Sequence, residues 1–193
     1  MPMDDHPHAL SSPFQALKFA VITASDTRSF TTDRSGEMIV ELVAQAGHQI
    51  VRRELLPDDL ETLRQVAEEI LKSGTCDVLV VTGGTGPAPR DVTPEAIAPL
   101  FERELEGFGE LFRIRSWETV GPMAMLSRAR AGTVGCQAVF LLPGSPRAVE
   151  LALRELILPV APHLVSLLSS SKSLAGALAP APEPSQKQKK NGP

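Results

Sequence analysis

Residues 77–96, DVLVVTGGTGPAPRDVTPEA, decide the fold. Asp77 to Thr82 is apolar on both faces, the pattern of a strand buried inside a parallel sheet. It runs directly into Thr82-Gly83-Gly84-Thr85-Gly86. Glycines here permit positive φ and let backbone N–H groups come close to an anion. The loop is not a Walker A sequence, which would end in GK[ST], nor the GxGxxG dinucleotide fingerprint. A tight strand-to-helix turn would account for the glycines alone. Pro87 and Pro89, however, stiffen a stretch longer than a simple connection needs, so it reads as a binding loop. Thr93-Pro94-Glu95 then opens a helix, with a capping hydroxyl followed by proline in the first turn.

On the N-terminal side, residues 17–24 (LKFAVITA) form a short apolar run rich in β-branched residues, followed by the polar loop 25–36. Ile39, Val40, Val43 and Ala46 recur at helical spacing until Gly47. Residues 49–56 suit a strand, Pro57-Asp58-Asp59 breaks it, and Leu60, Leu63, Val66, Ala67, Ile70 and Leu71 draw a helix face that stops at Gly74. On the C-terminal side, residues 107–131 read as short helices with turns. Ala138 to Leu142 is another buried strand, and Pro143-Gly144-Ser145-Pro146 opens a long apolar helix to about Leu168. Alternating strands and helices predict an α/β fold: a three-layer α/β/α sandwich with a mostly parallel sheet. One domain is expected over 16–168, between a disordered leader at 1–15 and a disordered Pro/Ala/Lys-rich tail at 169–193. There is no internal repeat.

Net charge is −4, but a leader of −2 and a tail of +3 leave −5 for the body of the chain. An acidic body argues against a sequence-independent nucleic-acid binder, which needs a broad basic face. No apolar run approaches the roughly 20 residues of a membrane span. The leader lacks a basic residue before Lys18, unlike a secretory signal, so a soluble, cytoplasmic protein is expected. Cys76 and Cys136 belong to no CxxC or zinc-spaced cluster and read as core residues. His6, His8, His48 and His163 are scattered and read as bystanders.

Open α/β sheets bind ligands beyond the carboxyl ends of their strands, and four loops are placed there. Asp91, beside the glycine loop, fits a divalent cation bridging to phosphate, but pairing or capping explains it equally well on spacing alone. Asp58 starts Asp58-Asp59-Leu60-Glu61, with Glu at capping-box spacing, so capping suffices. Two carboxylates meeting at this edge could also hold one magnesium ion. Ser145 and Pro146 put a helix N-terminus at the same edge, with the Arg147 guanidinium beside it, a natural anion site and also an ordinary helix start. Ser25-Asp26-Thr27-Arg28 adds a hydroxyl, a carboxylate and a guanidinium. The residues thus reach a phosphate-handling domain with a divalent cation, and no substrate.

Taken together, SDTR…TTDRSG (25–36), LLPDD (55–59), TGGTGPAPRDVTPEA (82–96), EGFGELFR (106–113), AMLSRARAG (124–132) and LPGSP (142–146) resemble the MoaB/Mog family of molybdenum cofactor biosynthesis. The resemblance covers nearly all of residues 17–165, in order. It implies the molybdopterin-binding fold and a homo-oligomer, trimer or hexamer. It also implies magnesium- and ATP-dependent adenylylation of molybdopterin with release of pyrophosphate, with the molybdate-insertion protein as a further partner it admits. The family's two functional aspartates fall on Asp58 and Asp91, as the magnesium-holding catalytic pair. Thr82, Gly83, Gly84, Thr85 and Gly86 would cradle nucleotide phosphates, and Ser25, Asp26, Glu110, Arg113, Ser127, Pro143, Gly144 and Ser145 would line nucleotide or pterin pockets. The rival from another class is a non-catalytic molybdopterin-binding scaffold, which loss of either aspartate would have favoured. A related domain in molybdate-insertion proteins and pyridine-nucleotide salvage hydrolases carries a GDE-type motif after the first strand, where this chain has Ser25-Asp26-Thr27.

Overall fold

A computed structural model of the chain describes residues 15–177, with side chains to Ser170. All of the expected leader at 1–15 but Gln15, and residues 178–193 of the expected tail at 169–193, lie outside the described residues. Strand β1 (Lys18–Ala24) leads to helix α1 (Arg34–Gln45), then β2 (Gln49–Leu56), α2 (Leu60–Ser73) and β3 (Val78–Thr82). A short helix α3 (Thr93–Ile97), strand β4 (Arg103–Glu104), helix α4 (Glu106–Val120) and a 3₁₀ segment, Gly121–Leu126, follow. Strands β5 (Arg130–Val134) and β6 (Gln137–Leu142) precede α5 (Pro146–Leu151), which passes through a π-helical turn at Ala152–Ile157 into α6 (Leu158–Ala177).

The sheet order is β2-β1-β3-β6-β5-β4. The first four strands are parallel, and β5 and β4 are antiparallel. Alternation along the central strands separates two cores. Phe19, Val21, Val78, Val80, Phe140 and Leu142 pack on α1, α4 and the C-terminal helix. Ala20, Ile22, Leu79, Val81, Val139 and Leu141 pack on α2 and α3. This is the expected three-layer sandwich, and each core strand is apolar on both faces because helices cover both.

Strands β4 and β5 were not anticipated: β4 precedes residues 107–131, read as short helices with turns, and β5 begins at their end. RARAG alternates weakly, and Gly132 interrupts it for a tertiary reason: a Cβ there would stand 2.3 Å from the Phe101 ring. The C-terminal helix was expected to stop near Leu168 and runs to Ala177. Its stretch Pro146–Ser170, of mean hydropathy 1.5, is long and apolar enough to cross a membrane by length and composition, contrary to the reading that no run approached that length. Val149, Leu153, Ile157, Ala161 and Val165 seat one side of it in the core. Cys76 is buried and its thiol is pushed up to about 11 by burial, whereas Cys136, expected in the core, is half-exposed at the β5–β6 turn. Buried His48 accepts from the Leu17 N–H and stacks on Phe19.

The chain crosses from β1 by α1 to β2 on one side, and from β2 by α2 to β3 on the other. Loops leaving β1 and β3 therefore diverge, opening a crevice at the carboxyl edge where ligands of such folds bind.

Candidate functional site

The loop after β3 is built on close backbone approach. Gly83 and Gly84 have φ of 101° and 61°, values that L side chains rarely adopt. The Gly83 N–H donates to the Leu142 carbonyl, and the Thr82 hydroxyl donates to the Pro143 carbonyl, fastening the loop to the end of β6. Around it lies a polar cleft of about 620 Å³. Ser25, Arg28, Arg34, Gly83, Asp91 and Gly144 are among the residues on its wall. Helix α1 begins at this cleft, capped by buried Asp33, whose Oδ1 accepts from the Gly36 N–H. The C-terminal helix also begins here, capped by Ser145 with Pro146 in the first turn. Two positive helix ends, a glycine loop that lets backbone come close and two arginines give the cleft the character of an anion site.

Asp58 and Asp59 are resolved by structure. The cap of α2 is Asp59, whose Oδ1 accepts from the Thr62 N–H, so Asp58 is not needed for capping. Asp58 instead donates its backbone N–H to Asp26 Oδ1, joining the loops after β1 and β2. Its own Oδ1 is buried without a hydrogen-bond partner. A Cβ on Gly84 would stand 3.1 Å from that oxygen and 2.5 Å from Thr93 Oγ1, which is also buried and unpartnered. Gly84 thus keeps both oxygens close to the loop. The expected capping role of Thr93 does not hold: it is the first helical residue, the cap position is Val92, and no side chain caps α3. The Thr93 N–H donates back to the Gly84 carbonyl, and this fold of the chain brings its side chain against the glycine loop.

Asp91 lies across the same loop. Its Oδ2 accepts from the Ala88 N–H, and a Cβ on Gly86 would stand 2.6 Å from that oxygen. Burial raises the Asp58 carboxyl above its ordinary range; the Asp26 and Asp91 carboxylates push the same way, against smaller pulls from an Asp26 backbone hydrogen bond and from Arg90. Among the described residues no three His, Cys, Asp or Glu side chains form a ready metal cage. Asp58 and Asp91 therefore fit magnesium only in its usual manner, as one or two carboxylates completed by water and phosphate oxygens. The unpartnered Asp58 Oδ1 is the observation that supports this fit.

That geometry has a measurable cost. Ionised Asp58 destabilises the ion-free fold at every pH above its raised folded value, and the penalty fades as pH falls from there through the ordinary carboxylate value, below which both states are protonated. Asp58→Asn is expected to raise the thermal midpoint of the metal-free protein at pH 7 and to lose that advantage in acid. Asp59→Ala is expected to lower the midpoint, because the Thr62 N–H loses its acceptor. Differential scanning calorimetry at both pH values checks the pair; an Asp58→Asn midpoint at or below wild type at pH 7 contradicts the assignment.

Other expected residues are distributed over neighbouring clefts. Thr85, Gly86, Ser127, Pro143, Ser145 and Arg147 line an apolar cleft of about 330 Å³, walled by Phe112, Met123 and Leu151 among others. Thr85, Gly86 and Pro143 are shared with the polar cleft. Glu110 and Arg113 line a third cleft with Ser127 and are not brought onto the polar one. Asp26 and Asp58 stand outside the polar cleft's wall, against the loops that form it. Sequence reasoning missed Arg128, whose guanidinium donates to the Gly86 and Asp91 carbonyls and pairs with Glu95. It also missed Asp33, which accepts from the Thr23 hydroxyl and pairs with Arg53. Neither has a local spacing signal, because each guanidinium–partner pair is far apart in sequence.

Residues 20–163 match the family described as "Probable molybdopterin binding domain". A curated relative, molybdenum cofactor biosynthesis protein B of Bacillus cereus, is 43% identical over 158 residues, covering 81% of this chain and 93% of the relative. A crystal structure of a molybdenum cofactor biosynthesis protein B superposes with a TM-score of 0.79 at 42% identity, over 81% of this chain and 98% of that one. The tungsten cofactor synthesizing protein MoaB from Pyrococcus furiosus superposes with a TM-score of 0.70 at 37% identity, over 83% and 99%.

Proposed function

The chain belongs to the molybdopterin-binding domain family, and from that premise we propose that it acts in molybdenum cofactor biosynthesis as a magnesium- and ATP-dependent molybdopterin adenylyltransferase. The observation that carries the reading is the release of Asp58 from capping and its placement, with an unpartnered buried oxygen, beside Gly84 and near Asp26 and Asp91.

The glycine-loop N–H groups and the two helix N-termini bind the triphosphate in the polar cleft. Asp58 and Asp91 hold magnesium, which when bound neutralises triphosphate charge and stabilises the pyrophosphate that leaves. The terminal phosphate of molybdopterin attacks the α-phosphorus of ATP; the bond from that phosphorus to the bridging oxygen breaks, and pyrophosphate departs. Positioning and charge compensation supply most of the rate. The adjoining apolar cleft, sharing Thr85 and Gly86 with the polar one, offers room for a planar ring beside the reacting phosphates.

The deciding measurement is pyrophosphate release from ATP by the purified chain, with and without molybdopterin and magnesium. Release that requires both is expected. Tight pterin binding with no release would make the protein a carrier.

A homo-oligomer, trimer or hexamer, belongs to the same reading. Leu111, Ile114, Trp117 and Val120 of α4 and Met123, Met125 and Leu126 after it are all exposed. An apolar surface of this density on a lone chain favours association. Ile114→Glu with Trp117→Glu is expected to shift the wild-type oligomer to monomer in analytical ultracentrifugation; a wild-type chain that sediments as monomer would overturn the oligomer.

A further inference from the structure

The segment Thr85–Asp91 carries one end of the phosphate loop and the second aspartate, yet it has few ties to the rest of the fold. Within it, Asp91 and Ala88 bond to each other. Among the described residues, its hydrogen bonds to elements beyond the loop all come from Arg128. The Arg128 N–H donates to the Thr85 carbonyl at 2.9 Å, its Nε donates to the Gly86 carbonyl at 2.9 Å, and its Nη2 donates to the Asp91 carbonyl. Its Nη1 pairs with Glu95 on α3, whose carboxyl this bond holds below the usual range. One planar guanidinium therefore spans both ends of the segment and the helix that follows.

We propose that Arg128 is the positioning residue of the phosphate loop: its guanidinium locks the Gly86 and Asp91 carbonyls together, so that the Asp91 carboxylate stays over Gly86 at the magnesium position. This rests on the catalytic reading above for its effect on turnover, though not for its effect on the loop. The fork geometry is essential, since three donors must point to three acceptors at once. A lysine ammonium keeps the charge and reaches from a single point, so charge alone does not restore the clamp. Arg128 touches neither reacting atoms nor the metal; it acts through Asp91.

The test compares Arg128→Lys and Arg128→Gln with wild type, first by amide hydrogen exchange without ligand. In both variants exchange over residues 85–91 is expected to speed up by about tenfold or more, with β3 and β6 amides unchanged. In pyrophosphate release, the magnesium concentration for half-maximal rate is expected to rise about tenfold, with the molybdopterin KM held. A general loss of stability would move the β3 and β6 amides as well. Wild-type exchange over 85–91 in a folded Arg128→Lys protein, or wild-type magnesium dependence in that variant, would overturn the clamp. If the wild-type protein releases no pyrophosphate, the catalytic reading fails and the exchange result alone decides the role of Arg128. If Arg128→Gln does not fold, Arg128→Lys carries the comparison.

Discussion

Asp91→Asn is expected to lower the rate of pyrophosphate release by about a thousandfold, with molybdopterin affinity nearly unchanged. The substitution is nearly isosteric. The amide oxygen can still accept from the Ala88 N–H, so the local turn survives. The Arg128 bond goes to the Asp91 backbone carbonyl and is untouched. What disappears is the negative charge beside Gly86 that acts on Asp58, and with it half of the carboxylate pair proposed to hold magnesium. In the proposed reading pterin binding draws on the adjoining apolar cleft, so KM for molybdopterin is expected to hold while kcat falls, the signature of an interaction used in the transition state. Steady-state kinetics over a range of magnesium concentrations checks this. A variant with full activity at limiting magnesium would remove Asp91 from cation binding and leave it a turn residue.

Gly83→Ala is expected to destabilise the fold by about 3 kcal/mol or more and to abolish nucleotide binding. Gly83 has φ of 101°. A Cβ there would stand 2.2 Å from the Ala24 carbonyl oxygen, at the end of β1. That obstacle is main chain at the end of a strand paired on both sides, with no flexible side chain to move aside. The Gly83 N–H is also fixed to the Leu142 carbonyl, so the chain cannot swing away without releasing β6. The loss is large against the roughly 5–15 kcal/mol of a typical domain. Urea unfolding followed by circular dichroism gives the stability, and calorimetric titration with magnesium-ATP gives the binding. Wild-type values in both would show that the loop is not held by this close approach. Gly84→Ala meets side-chain atoms of Thr93 and Asp58 as the nearest neighbours of its Cβ, so its direct clash is softer, although its φ of 61° still strains alanine.

Much of the fold was legible because the relevant signals are local. Apolar runs such as VLVV report burial on both faces, Gly47 and Gly74 mark helix ends, and the order of strands and helices restricts the connections to a mostly parallel sheet. Strand β5 escaped because Gly132, placed there to admit the Phe101 ring, breaks a short alternation. Phe101 is far enough away in sequence that no window would pair the two residues. The placement of the glycine loop and both aspartates at one edge of the sheet was also legible, as strand ends and strand-to-helix loops share an edge.

What the sequence by itself determined is the α/β architecture, the phosphate-type loop after β3 and the pair of candidate carboxylates, because each rests on neighbours within a few residues. Only the tertiary structure decided which aspartate caps α2, that Thr93 faces the loop instead of capping α3, that Glu110 and Arg113 lie on a cleft apart from the polar one, and that Arg128 ties Gly86 to Asp91. Capping turns on which of two adjacent aspartates takes the extended backbone at the helix start, here Asp59 at φ −117° and ψ 126°. The others depend on contacts between segments tens of residues apart, whose distances follow from the packing of the whole sheet and its helices.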